Sequence, residues 1–207
     1  MNHVTVIDHP VVQHHLTVLR DRRTEPEEFR QRLAQVAALM VYEATRSLGT
    51  RGVGVLTPLA RSRGVRLGRE VLLVPVLRAG LGMLEGILRL IPDARVGFIG
   101  LKRSEKTLHA SAYHKSLPDE LGSFEILLLD PMLATGGSVV AALGLLADRG
   151  ARRVRVVSLV AAPEGIARVH KRYPEQRIFT AAVDRRLNRK GYILPGLGDA
   201  GDRLFGV

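Results

Sequence analysis

Five short, largely apolar runs, at residues 71–77, 96–101, 124–129, 154–160 and 178–183, set the tightest limit on how this chain can fold. A half-exposed strand alternates apolar and polar residues. A run that is apolar at both parities suits a strand covered on both faces, as in a parallel sheet. Between the runs lie segments of helical texture at 81–90, 137–148 and 164–173. Strand and helix in alternation predict an α/β fold with right-handed crossovers. Upstream, residues 25–48 read as a helix: Phe29, Leu33, Val36, Ala37, Met40, Ala44 and Leu48 recur at helical period, Pro26 sits in the first turn, and Thr24 with Glu27 has the spacing of a capping box.

Two stretches fall outside the alternation. Residues 103–122 are polar, carry Tyr113 and Pro118, and read as a long loop or a protruding hairpin. Residues 191–207 hold five glycines, at 191, 196, 198, 201 and 206. Segments of this kind, outside the sheet, are where α/β proteins commonly place their sites. No repeat or linker divides the chain, and 207 residues suffice for one core, so residues 1–207 are expected to form a single domain.

The absence of cysteine excludes disulfides, thiolate metal sites and a cysteine nucleophile, and points to a reducing, cytoplasmic setting. No apolar stretch is long enough to span a membrane, and the first residues lack the apolar core of a signal peptide. The net charge of +11 asks for an anionic partner. The basic residues, of which only five are lysines, are scattered among apolar ones and form no arm. The histidines form no i, i+4 pair with a carboxylate nearby, so no dedicated metal site is expected.

Residues 124–138 carry the most chemistry. An apolar run ends at Asp130; Pro131, Met132, Leu133 and Ala134 follow; then Thr135, Gly136, Gly137 and Ser138 lead into a helix. Backbone N–H groups converging at a helix N-terminus, with two hydroxyls beside them, make a cradle for phosphate. A strand-end carboxylate such as Asp130 is placed to accept from sugar hydroxyls. The plainer alternative is an aspartate turn whose glycines serve only a tight strand-to-helix connection. No Gly-Lys-Ser/Thr follows, so this is not a Walker loop.

The Asp130-Pro-Met-Leu-Ala-Thr-Gly-Gly-Ser138 stretch resembles the 5-phosphoribosyl-1-diphosphate (PRPP) motif of type I phosphoribosyltransferases, in the form found in the uracil phosphoribosyltransferase family. Residues 74–83, Val-Pro-Val-Leu-Arg78-Ala79-Gly80-Leu-Gly-Met, resemble that family's diphosphate loop. Residues 191–206, with Ile193, Pro195, Gly196, Gly198, Asp199, Ala200 and Gly201, resemble its base-binding end. His9-Pro10, residues 42–46 and residues 160–165 extend the resemblance over the chain. Other type I members carry two adjacent acids before the loop. Here Pro131 follows Asp130, which is the uracil-enzyme pattern.

The resemblance implies a parallel-sheet type I phosphoribosyltransferase fold with flanking helices, a protruding loop or hairpin and a C-terminal hood over the base. It implies transfer of the phosphoribosyl group from PRPP to N1 of uracil, giving UMP and diphosphate. It places Arg78, Arg103, Asp130–Ser138 and Asp199 on PRPP, and Ile193, Gly198, Asp199 and Ala200 on uracil. Magnesium would arrive with PRPP, and no general base is implied. The family forms dimers or larger assemblies, and GTP activates some members. Near Arg103, Lys102 and Lys106 are charges without an assigned role, and residues 103–122 are expected to close over the site. The competing reading is an RNA-binding regulator on the same fold. Few aromatic residues are available to stack on bases, which disfavours nucleic acid as the partner.

Overall fold

The computed structural model describes residues 3–103 and 110–207, and the side chains of these except at 102, 103 and 110–112. In chain order the elements are β1 (Val4–Val6), α1 (Pro10–Arg20), α2 (Pro26–Ala44), β2 (Thr50–Leu56), β3 (Arg61–Leu67), β4 (Val71–Leu77), α3 (Leu81–Leu90), β5 (Arg95–Val96), β6 (Phe98–Arg103) and β7 (Ala110–Ser116). They continue with β8 (Glu125–Leu129), β9 (Met132–Leu133), α4 (Gly137–Ala147), β10 (Val154–Ala161), α5 (Pro163–Arg172), β11 (Arg177–Val183), β12 (Arg186–Leu187), β13 (Ile193–Leu194) and α6 (Ala200–Phe205).

The central sheet runs β1-β11-β10-β8-β4-β6-β7, with β5 alongside β4 and β9 alongside β10. All its pairings are parallel except β6 with β7. Every apolar run expected to be a strand enters this sheet. Their two-sided apolarity has a simple cause: Leu127 and Leu129 of β8 face a core shared with α1, α2, α3 and α6, while Ile126 and Leu128 face the core under α4 and α5. From β4 the chain moves outward to β6 and β7, then returns to lay β8 on the other side of β4. The order therefore reverses between β4 and β8, and parallel sheets take ligands beyond the strand ends at such a reversal.

The expected helices at 81–90, 137–148 and 164–173 correspond to α3, α4 and α5 within a residue or so. The helix expected over 25–48 is shorter, Pro26–Ala44, and its capping box is absent. The N-cap is Glu25, without a side-chain bond, and the Thr24 hydroxyl donates to the Val18 carbonyl at 2.6 Å. That carbonyl lies in the last turn of α1, where it also accepts from the Asp21 N–H at 3.1 Å, and serving it takes Thr24 away from α2. Of the polar stretch 103–122, Arg103 ends β6 and residues 110–116 form β7, antiparallel to it; residues 104–109, with Lys106, lie outside the described residues.

Sequence reading assigned nothing to β2 and β3. They form a separate antiparallel hairpin exposed on both faces, with Val55, Leu56, Leu59 and Val65 in solvent. Glycines at 52, 54 and 64 and arginines at 51, 61, 63 and 66 had hidden its strand character. Among the described residues no helix is long and apolar enough to cross a membrane.

Candidate functional site

The reversal between β4 and β8 brings two loops together. After β8, Asp130 leaves the sheet, β9 pairs briefly with β10, and the chain turns at Gly136 into α4. Gly136 has φ +74°, and a Cβ there would stand 2.7 Å from the Gly165 carbonyl oxygen, so both conformation and space require glycine. The first turn of α4 then opens onto a recess of about 30 Å³ lined by Asp130 and residues 132–139. Its backbone N–H groups lack helical acceptors, and the helix dipole favours an anion there.

The run 130–138 does not act as one surface. Pro131 is buried and its carbonyl accepts from Val160 N–H at 3.1 Å. The Leu133 side chain is fully buried in the α4-side core. Asp130, Thr135, Gly137 and Ser138 are partly exposed at the recess. Burial by the surrounding protein pushes the Asp130 pKa up to about 6, against the opposing effect of the Met132 N–H, which donates to Oδ1 at 3.4 Å.

On the β4 side, Arg78 is exposed just beyond the strand, and its guanidinium lies 5.7 Å from the centroid of the Phe205 ring of α6. The loop after β4 thus reaches the C-terminal helix. In the sequence, the small pair Ala79-Gly80 after Arg78 reads as room for backbone N–H groups to approach an anion, but Gly80 is otherwise engaged. A Cβ on it would fall 2.5 Å from the Leu129 carbonyl oxygen, and its N–H donates to Val76, so its small size serves packing between β4 and β8 rather than approach to a ligand. Arg103 closes β6, so its backbone ends at the same edge of the sheet; its side chain, like that of Lys102, lies outside the described residues.

The C-terminal stretch is ordered. β12 and β13 pair as a small hairpin, held by Asn188, whose side-chain oxygen accepts from the N–H groups of Lys190 and Tyr192 at 2.9 and 3.0 Å. Glu164 of α5 accepts from Leu187 N–H at 2.9 Å and ties this hairpin to the body. Gly191, Ile193, Gly198, Asp199 and Ala200 then line a groove of about 280 Å³, closed on the other side by Ala79, Met132 and Ala134. The Ile193 side chain is buried in the core, so toward the groove it offers mainly its backbone. Groove and recess adjoin at Met132 and Ala134, which line both. A larger hollow of about 930 Å³, near Tyr42, Arg51, Arg66 and Arg69, shares no residue with it.

Asp199 has a structural duty as well. It is the N-cap of α6, and its Oδ1 accepts from Asp202 N–H at 3.0 Å. Asp199→Ala should therefore lower stability by about 1 kcal/mol, the usual cost of a lost cap, while Asp199→Asn keeps the cap. If the carboxylate also meets ligand, kinetics of the two variants should fall together while only the alanine variant melts lower. Full activity in the asparagine variant would limit Asp199 to capping.

Two cations that sequence reading passed over sit at the cleft. Arg168 of α5 is exposed, and its Nη1 lies 3.5 Å from where a Cβ on Gly137 would stand. Lys190 lines the groove. Helical periodicity places Gly165 and Arg168 on one face of α5, but nothing local tells which loop that face meets.

The family profile of uracil phosphoribosyltransferase matches residues 6–207. The chain is 55% identical to the uracil phosphoribosyltransferase of Symbiobacterium thermophilum over the full length of both, and 50% identical to that of Dictyoglomus turgidum over 99% of each. Its structure is similar to that of the AQ2163 protein from Aquifex aeolicus, with TM-score 0.94 and 41% identity over 99% of this chain and 98% of that one. A hypoxanthine phosphoribosyltransferase from Trypanosoma cruzi, 15% identical with TM-score 0.52 over 79% of this chain and 76% of that one, shares the fold.

Proposed function

Because this chain belongs to the uracil phosphoribosyltransferase family, we propose that the cleft between the ends of β4 and β8 is where it moves the 5-phosphoribosyl group from PRPP to N1 of uracil, forming UMP and diphosphate. The observation that carries this reading is that the recess at Gly136–Ser138 and the groove lined by Ile193 and residues 198–201 adjoin at Met132 and Ala134. A sugar held at that junction has a phosphate site on one side and a flat slot on the other.

In this arrangement the first turn of α4, with the Thr135 and Ser138 hydroxyls, takes the 5-phosphate. Asp130, once ionised, accepts from the ribose hydroxyls and fixes the ring. Arg78 and Arg103 offer planar donor forks to the diphosphate, and Arg168 adds charge beside the recess. The backbone at Ile193 and from Gly198 to Ala200 presents N–H and C=O groups to the edge of uracil, and Asp199 reaches back toward PRPP. Uracil N1 then bonds to the anomeric carbon as the bond to diphosphate breaks and its electron pair leaves with that group; the N1 proton passes to water or to the departing diphosphate, and no side chain is assigned as its base. Acceleration comes from holding N1 in line and from donors aimed at the charge growing on diphosphate.

Magnesium bound together with PRPP would supply further charge neutralisation to the leaving group. The cleft's two carboxylates, Asp130 and Asp199, suit an ion held mainly by substrate oxygens and water rather than a protein cage. The hairpin β2–β3 is the surface we assign to contact between subunits of a homo-oligomer. A two-stranded ribbon exposed on both faces is marginal alone, and this one keeps Leu56 and Leu59 in solvent.

The test is diphosphate release from PRPP, with and without uracil, together with identification of the nucleotide. Uracil-dependent release with UMP as product is the expected result, and Arg78→Ala should raise KM for PRPP about tenfold or more. No uracil-dependent release, alongside tight and salt-sensitive RNA binding, would replace this reading with that of an RNA-binding regulator.

A further inference from the structure

The groove assigned to uracil is walled by Ile193 and by residues 198–201, and the irregular segment that joins them, residues 195–197, is held by two arginines, Arg20 and Arg203. Asp184, just beyond β11, is 7% exposed. Its Oδ1 and Oδ2 accept from Arg20 Nη2 and Nη1 at 2.7 and 2.8 Å, and Oδ2 also accepts from Gly196 N–H at 2.7 Å. Arg20 Nη1 donates in addition to the Gly196 carbonyl at 2.7 Å. Gly196 is thus gripped at both its N–H and its C=O by one ion pair. Its φ is +61°, and a Cβ on it would stand 2.2 Å from the Ile193 carbonyl oxygen, so the turn here is tight.

The next residue is held independently. Arg203 of α6 donates to the Leu197 carbonyl at 2.9 Å and to the Asp21 carbonyl at 2.6 Å, bonds the Leu19 carbonyl as well, and lies 4.5 Å over the Phe29 ring. Leu19 and Asp21 are carbonyls at the end of α1, where helical partners run out and a cation is favoured. Arg20 is the last residue of α1. Both clamps therefore use the C-terminal end of α1 as their fixed point. The two carbonyls they hold, at 196 and 197, lie between Ile193 and Gly198, the positions that face the base.

We propose that Arg20, Asp184 and Arg203 are positioning residues for uracil: by bracing residues 196 and 197 against α1 they fix the spacing of the backbone groups that read the base. This rests on the site assignment above and adds to it a role for α1, which has no residue in the cleft. A bidentate pair suits that role because it fixes orientation as well as distance. Misplacement of a reading edge by an ångström weakens base binding without touching the phosphate recess on the far side of Met132.

The experiment measures kcat and KM for uracil and for PRPP, with a melting curve, in wild type, Arg20→Met, Arg20→Lys and Arg203→Lys. Arg20→Met should raise KM for uracil about tenfold or more and leave KM for PRPP within about twofold. Arg20→Lys, a single-point donor that cannot span both Asp184 oxygens and the Gly196 carbonyl, should recover only part of the loss. Arg203→Lys should shift uracil KM in the same sense. Should Arg20→Met fail to fold, the two lysine variants carry the test. Folded variants whose uracil KM stays within twofold of wild type, or in which both KM values rise together, would overturn the proposal while leaving the site assignment standing. A wild type with no uracil-dependent turnover would instead remove the site assignment itself, and this proposal with it.

Discussion

Asp130→Asn is expected to lower kcat/KM for PRPP by about 100-fold or more while leaving the fold intact. The carboxyl and the amide have the same shape, and Asn Oδ1 can still accept from the Met132 N–H. What is lost is the charge and half of the acceptor capacity facing the ribose. The pH dependence sharpens the test. With its pKa pushed up to about 6 by burial, Asp130 is neutral below that pH and a poor acceptor there. The wild-type kcat/KM for PRPP should fall by about tenfold per pH unit below 6 and level off above it, and the asparagine variant should lack that limb.

Stability should move the other way. In the unfolded chain the carboxyl titrates near 3.8, so between there and about 6 the folded protein binds the extra proton. Folding is accordingly favoured at low pH by this group, and that contribution is lost as pH rises through about 6. Asparagine never ionises, so the variant should melt at least as high as wild type at pH 8. An inactive variant that also melts lower would point to a structural role. One with an unchanged pH profile would take Asp130 out of the site.

Gly136→Ala carries the second large effect. The left-handed backbone costs an L-residue about 1–2 kcal/mol, and forcing a methyl into a packed space adds about 1–3 kcal/mol. The methyl would meet Gly165 backbone, which cannot swing aside as a side chain can. Calorimetry should show a melting point several degrees lower, and kcat/KM for PRPP should fall by about 100-fold or more because the first turn of α4 is displaced. Gly137→Ala is the control for stability. Its Cβ would lie 3.5 Å or more from Arg168 and Thr135, an ordinary contact, so its melt should stay close to wild type. Equal destabilisation by both substitutions would show that the turn does not depend on the geometry of Gly136.

Much of the scaffold is legible in the residues. Runs such as 71–77, apolar at both parities, require cover on two faces, and the helical segments between them supply it. The order of strand, acid, Thr-Gly-Gly-Ser and helix places a carboxylate and an anion recess at one sheet edge with no knowledge of the rest. Local pattern misled where a side chain had a distant alternative. Thr24 has the spacing of a cap and instead serves the end of α1. Gly80 has the look of a ligand-approach glycine and instead lets two strands meet. The β2–β3 hairpin escaped notice because it buries neither face, and burial is what writes periodicity into a sequence.

The sequence by itself determined the parallel sheet and the succession of strand, acid, glycine turn and helix around Asp130, because each depends on residues within a few positions of one another. Tertiary structure alone decided that Arg168 stands near Gly137, that Arg78 lies against Phe205, and that Arg20 and Arg203 grip residues 196 and 197. Those contacts join surfaces up to 184 residues apart. A helix's periodicity records that a face is covered but not by what, and an arginine long enough to reach several partners carries no local mark of which one it meets.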